Sequence, residues 1–256
     1  MTGPVVAVEA AQDESLLGDS GLRSVVVGVD GSAEGRAALH FAAKVAEGAG
    51  ATLIAVTAVD PPAGELSPDL HDRIEAEQRA SLPDIGIPLA VCSVSPSRHV
   101  MRQGRAQDVL VDVATEVDAD LIVVGRTGLH SSPGFLHIAS VPEQLAHHTS
   151  RPLAVIPATA MDFEQVVLCD TPSAATRKAR TWSAILAAAL GLPLRSNDSR
   201  ERSELLRSIS SGGDIGVCAL EQTGALTEFR AGGTGFYLLH RATRPLVLLP
   251  PSSDRN

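Results

Sequence analysis

Aromatic side chains are scarce in this sequence: one Trp, one Tyr and five Phe, 3% of the residues. A core of ordinary size must then be built from aliphatic side chains and alanine, and 44% hydrophobic residues supply enough of them. Cysteine is nearly as rare. Cys92, Cys169 and Cys218 form no CxxC and no Cys/His ligand spacing; each sits in an apolar, strand-like run and reads as a small buried hydrophobe. Basic residues are outnumbered, 21 Lys and Arg against 30 Asp and Glu, and the formal charge of −9 argues against nucleic acid or an anionic membrane as the main partner. No apolar run reaches the length of a membrane span. Val5-Val6-Ala7-Val8 is broken by Glu9 and follows no basic residue, so it does not read as a secretory signal. The expectation is a cytoplasmic protein with a loose acidic leader over residues 1–22 and a short tail over 252–256.

Signatures of catalysis are missing as well. There is no GxSxG, no HExxH, no Walker lysine pattern and no supported Cys-His arrangement. His147 and His148 are adjacent on an expected helix and diverge by about 100°, so they cannot converge on one ion, and His137 has no partner in the pattern. The site residues expected from this sequence are therefore catalytic: none, and metal: none.

What is present is organised around Asp120 to Pro157. Leu121-Ile122-Val123-Val124 is a short unbroken apolar run, as a parallel strand covered on both faces should be. It ends at Gly125-Arg126-Thr127-Gly128, whose glycines let a ligand approach the main chain. Ser140-Val141-Pro142-Glu143 then opens a helix with a capping box, and Leu153-Ala154-Val155-Ile156 is a second buried strand. A strand, a glycine loop, a helix start and a strand together aim main-chain N–H groups at one place, where an anion would sit.

Upstream, Arg23 to Asp30 is a buried strand that turns at Gly31-Ser32 into a helix from Ala33 to about Glu47, closed by Gly48 and Gly50. Ala51 to Val59 is the second strand, Ser67 to Ala80 a polar helix, and Ile87 to Ser95 the third strand. Arg105 to Val117 is an amphipathic helix with Val109, Leu110, Val113, Ala114 and Val117 on one face. Strands alternating with helices predict a doubly wound, parallel five-stranded α/β sheet, which takes its ligand beyond the carboxyl ends of the strands.

From about Asp162 the pattern begins again. Val166-Val167-Leu168-Cys169-Asp170 repeats Val26-Val27-Gly28-Val29-Asp30, Asp214 to Cys218 answers Asp120 to Val124, and Arg244 to Pro250 echoes Arg151 to Pro157. The second copy is shorter by about one β-α unit. The expected organisation is a full domain over 23–159 and a shortened, degenerate one over 162–251.

VVVGVDGS, ADLIVVGRTG, AS at a helix start and RPLAVIP together resemble the universal stress protein family, over the whole first copy and part of the second. The resemblance implies a Rossmann-like five-stranded fold and a site for ATP or a related adenine nucleotide, with Mg2+ as its companion ion. It implies that Asp30, with Gly31 and Ser32, and the main chain at Ala58 and Val59 hold the adenosine. Gly125, Arg126, Thr127, Gly128, Ala139, Ser140 and Val141 would meet the phosphates. Two departures stand out: the interval from Leu129 to Ile138 is ten residues rather than nine, and Ala139 replaces the family's glycine with a methyl at the phosphate approach. In the second copy the GxxG is lost and Glu221 stands near its place, so that copy is expected to be nucleotide-free and to pack on the first as a built-in partner. The resemblance further leaves open a homodimer through the terminal strands. The function expected is regulatory nucleotide binding in a stress response, not catalysis, with ATP hydrolysis at most slow and incidental. The alternative is an interaction protein that binds no nucleotide and acts through pairing and partner contacts.

Overall fold

A computed structural model of the chain describes residues 21–59, 98–127, 140–160, 162–169, 176–199, 201–209, 214–220 and 233–251. The first copy contributes β1 (Ser24–Gly28), α1 (Ala33–Ala49), β2 (Thr52–Val59), β3 (Arg98–Gln103), α2 (Ala106–Glu116), β4 (Leu121–Gly125), α3 (Val141–His148) and β5 (Leu153–Ile156). The second contributes β6 (Gln165–Cys169), α4 (Thr176–Leu190), β7 (Leu194–Asn197), α5 (Arg202–Ser208), β8 (Asp214–Ala219), α6 (Thr234–Arg241) and β9 (Leu246–Leu249). All the strands among the described residues lie in one nine-stranded sheet, in the order β3-β2-β1-β4-β5-β9-β8-β6-β7. Every neighbouring pair is parallel except β5 and β9, which run antiparallel with Ala154 opposite Val247.

The parallel strands are apolar on both faces because helices cover both. Val25, Val27, Leu121, Val123, Ala154 and Ile156 point to one side, and Val166, Leu168, Ile215, Val217, Val247 and Leu249 continue that layer through the second copy under α1 and α4. Val26, Ile54, Ile122, Val124, Leu153 and Val155 point to the other, continued by Val167, Cys218, Leu246 and Leu248 beneath α2, α3, α5 and α6. Two aliphatic layers thus run unbroken across the β5–β9 seam, as the shortage of aromatics requires. Phe41, the largest fully buried side chain among the described residues, meets Phe163 edge-on with ring centres 5.4 Å apart.

Reading order β7-β6-β8-β9 against β2-β1-β4-β5 shows what the second copy has dropped: among the described residues it has no counterpart of β3. The correspondence of the letters needs one correction. Gly50 and Gly191 both close a helix in the left-handed conformation at φ 64°, and they are 141 residues apart. The same interval carries Val25, opposite Leu121, onto Val166, opposite Ile215. Val166 therefore answers Val25 rather than Val26. A slip of one residue would turn every side chain to the wrong face, so sheet geometry and not letter identity fixes the match. Cys169 then takes the place of Gly28, and counting on sets Thr171-Pro172-Ser173 against Asp30-Gly31-Ser32.

The third strand also differs from expectation. Ile87 to Ser95 and the helix at Ser67 to Ala80 lie outside the described residues, and the strand that pairs with β2 is Arg98–Gln103. Its sequence, RHVMRQ, buries only Val100 among its side chains, as an edge strand can, and so carries little apolar signal. Both edges of β5 and both edges of β9 are occupied within the chain. Pairing of two chains through those strands would first require the β5–β9 seam to open. Cys169 and Cys218 are buried and opposite each other in register on β6 and β8, and burial pushes the Cys169 thiol well above its ordinary range. Cys92 lies outside the described residues.

Candidate functional site

The order of the first five strands reverses direction between β1 and β4. Beyond the carboxyl ends of those two strands the connections leave to opposite faces and a crevice opens, the position where open α/β sheets take ligands. Asp30-Gly31-Ser32, Ala58-Val59, Gly125-Arg126-Thr127 and Ser140-Val141 all reach this edge. Gly128 and Ala139 lie outside the described residues.

At the end of β1, Asp30 Oδ1 accepts the Ser32 N–H at 3.0 Å and the Ser32 hydroxyl at 2.6 Å. Ser32 Oγ in turn accepts the Gly35 N–H at 2.9 Å, which caps α1. Asp-Gly-Ser is thus a turn and a helix cap in one unit. Arg36 Nη1 reaches back to the Gly31 carbonyl at 2.7 Å.

At the end of β2 the main chain is offered to the crevice. Val56 O accepts from Val29 N at 2.8 Å on the β1 side, and Val59 O accepts from Gly104 N at 2.9 Å on the β3 side. Successive peptide groups of a strand face opposite edges, so the N–H and C=O of Ala58 face β1, past the point where β1 has ended. A donor and an acceptor a few ångströms apart, on an edge that no described residue pairs with, match the hydrogen-bonding edge of a planar heterocycle. Beside them the Thr57 hydroxyl donates to Val29 O at 3.0 Å, and His99 Nε2 stands 3.0 Å from the same hydroxyl oxygen. Since the hydroxyl proton is directed to Val29, the ring must present Nε2–H. Burial holds the His99 pKa below its ordinary value.

At the end of β4 the described residues of the expected phosphate cradle are engaged within the protein. A Cβ on Gly125 would lie 2.7 Å from Glu34 Cβ and 2.9 Å from the Glu34 carbonyl carbon, so the first turn of α1 rests directly on Gly125. Thr127 Oγ1 donates to Glu34 Oε1 at 2.9 Å. Arg126 turns away, its Nη2 donating to the His240 carbonyl of α6 at 2.8 Å.

The start of α3 is occupied in the same sense. Ser140 is its N-cap, and its N–H donates to Glu143 Oε2 at 2.7 Å, one arm of the expected capping box. Pro142 in the first turn has no N–H to offer. The other carboxylate oxygen of Glu143 lies 3.0 Å from His240 Nδ1. Ninety-three residues separate His147 from His240 and Glu143 from Phe236, so the seam is crossed twice by related pairs: Glu143 with His240, and His147 stacked on Phe236 at 4.4 Å.

Glu34, Thr57, His99 and His240 were not singled out in the sequence. Glu34 had a faint signal, an acid in the first turn of a helix that begins at the ligand edge; His240, placed by the far copy, had none. Among the described residues no group of three or more His, Cys, Asp or Glu could hold a metal ion, and no helix is long and apolar enough to cross a membrane.

A mostly parallel sheet with this strand order, covered by helices on both faces and with an Asp-Gly-Ser turn and a glycine-ended strand at its switch point, defines a doubly wound, Rossmann-like α/β protein. The chain belongs to the universal stress protein family, whose pattern matches residues 21–157. A universal stress protein from Archaeoglobus fulgidus DSM 4304 matches the fold over 91% of this chain and 97% of its own, with a TM-score of 0.63 at 12% identity. A putative universal stress protein from Pseudomonas aeruginosa UCBPP-PA14 matches over 90% and 94%, with a TM-score of 0.53 at 12% identity. A shorter universal stress protein, solved in complex with cAMP, is 28% identical over 54% of this chain and 98% of its own, with a TM-score of 0.44. No curated protein is significantly similar in sequence.

Proposed function

We propose that the first copy binds ATP or a related adenine nucleotide as a regulatory ligand in a stress response, and that the protein acts by recognition rather than by catalysis. The observation that carries this reading is the outward edge of β2: the Ala58 N–H and C=O face the crevice where β1 has ended, ready for the edge of an adenine. Asp30, at the end of β1, stands beside it for the ribose. Where a nucleotide carries a phosphate, Mg2+ would be bound chiefly by phosphate oxygens, because Mg2+ is commonly held through one or two carboxylates plus its substrate. The second copy is proposed to hold no nucleotide, since Thr171-Pro172-Ser173 takes the place of Asp30-Gly31-Ser32.

The test is thermal unfolding of the whole chain with and without adenine nucleotides at millimolar concentration. A ligand present at a hundred times its dissociation constant adds roughly 2.7 kcal/mol. A raised Tm that is abolished by Asp30→Ala supports the reading, and an unchanged Tm with every adenine compound refutes it. A second reading, a paired scaffold that needs no nucleotide, is favoured by one specific observation: Arg126 and the Ser140 N–H are spent on His240 and Glu143. That reading expects no shift with any of them.

A further inference from the structure

Among the described residues, the groups expected to face a polyphosphate are engaged by the protein itself. Gly125 is covered by the first turn of α1, and a Cβ there would come within 2.7 Å of Glu34 Cβ. The Thr127 hydroxyl is held by the Glu34 carboxylate at 2.9 Å. Arg126 is drawn to the His240 carbonyl at 2.8 Å, and the Ser140 N–H to Glu143 at 2.7 Å. Four features expected to face phosphate therefore face elsewhere, and Glu34 puts a negative charge at the glycine end of β4. The adenine edge at Ala58 is untouched by any of this.

We infer that the site selects the nucleoside end of its ligand: it takes adenosine or adenosine monophosphate in preference to ATP, and Glu34 is the residue that sets the preference. The inference rests on the adenine site proposed above. Glu34 acts by exclusion. A β- or γ-phosphate seated over Gly125 and Thr127 would have to displace the carboxylate from the hydroxyl and lie beside it, and two like charges in contact repel. Adenosine, with no phosphate, does not meet Glu34 at all. The second copy contributes through His240, which draws Arg126 away from the crevice and pairs with Glu143 at the start of α3.

The experiment is calorimetric titration of the full chain with adenosine, AMP, ADP and ATP, each with and without Mg2+, repeated on Glu34→Gln and Glu34→Asp. The expected result is that wild type binds adenosine and AMP at least tenfold more tightly than ATP. Glu34→Gln, which can still accept from Thr127, should tighten ATP about tenfold and leave adenosine unchanged. Glu34→Asp, which keeps the charge, should keep the discrimination and guards against a misfolded Gln variant. ATP binding as tightly as AMP to wild type, or an AMP-to-ATP ratio that is the same in wild type and Glu34→Gln, overturns the inference and leaves the adenine site standing. Absence of binding by all four compounds overturns the adenine site itself and this inference with it.

Discussion

Gly48→Ala offers a test whose sign alone decides between two pictures of the chain. On an exposed helix, replacing a glycine by alanine stabilises by roughly 0.5–1 kcal/mol. Here α1 crosses α4 at Gly48, and an added Cβ would lie 1.6 Å from the Ala189 carbonyl oxygen and 2.6 Å from its carbon. The obstacle is backbone, so no rotamer can relieve it. The two helix ends must part by on the order of 1.5 Å, which strains the layer that α1 and α4 share over the sheet. Overpacking of this kind costs about 1–3 kcal/mol. Set against the gain in helix propensity, the net loss is about 1–2 kcal/mol, and for a chain of this size each kcal/mol moves Tm by roughly 2–4 °C. Calorimetric melting of the purified variant should therefore show one transition, lowered by several degrees. Gly21→Ala, with nothing within 4 Å of the added carbon, should leave Tm unchanged. A Gly48→Ala protein that melts at or above wild type would refute the reasoning, because α1 and α4 would then not be packed as described.

Gly125→Ala should destabilise by about 1–3 kcal/mol, since the new methyl meets the Glu34 main chain at 2.9 Å, whereas Gly28→Ala meets only the movable tips of Leu110 and Val124 at 3.2–3.4 Å and should cost less; paired denaturant melts read the difference. For His99 the folded ring binds its proton less readily than the unfolded one, because burial lowers its pKa below the ordinary 6.5. The unfolded chain therefore takes up the proton first, and stability is fully present above pH 6.5 and falls as pH drops below it. His99→Gln should lose less stability than wild type between pH 6.5 and the lowered value, as followed by melts across that range; equal slopes would count against the assignment.

What the sequence declared openly were the features that physics writes locally. The apolar runs of β1, β4 and β5 are long enough to be seen, and Asp30-Gly31-Ser32 reads as a turn and a cap because that is turn and cap chemistry wherever it occurs. β3 stayed hidden because an edge strand needs only Val100 inside. The repeat was visible in its letters but set one residue out, since Val26-Val27 and Val166-Val167 look alike while only the sheet shows which valine faces α1. Contacts that join distant parts of the chain had no local trace: Glu34 over Gly125, Ala189 against Gly48, and His240 holding both Arg126 and Glu143. The contacts of Glu34 and His240 are the ones on which the proposed preference for a nucleoside rests.

Amide hydrogen exchange, read residue by residue in the presence and absence of saturating AMP, tests most directly whether an adenine is held on the β2 edge of the first copy. The account predicts slowed exchange at Ala58 and in the Asp30–Ser32 turn, with no change at the matching ends of β6 and β7. Unaltered exchange at Ala58, or protection appearing instead around Cys169 and Asn197, would contradict it.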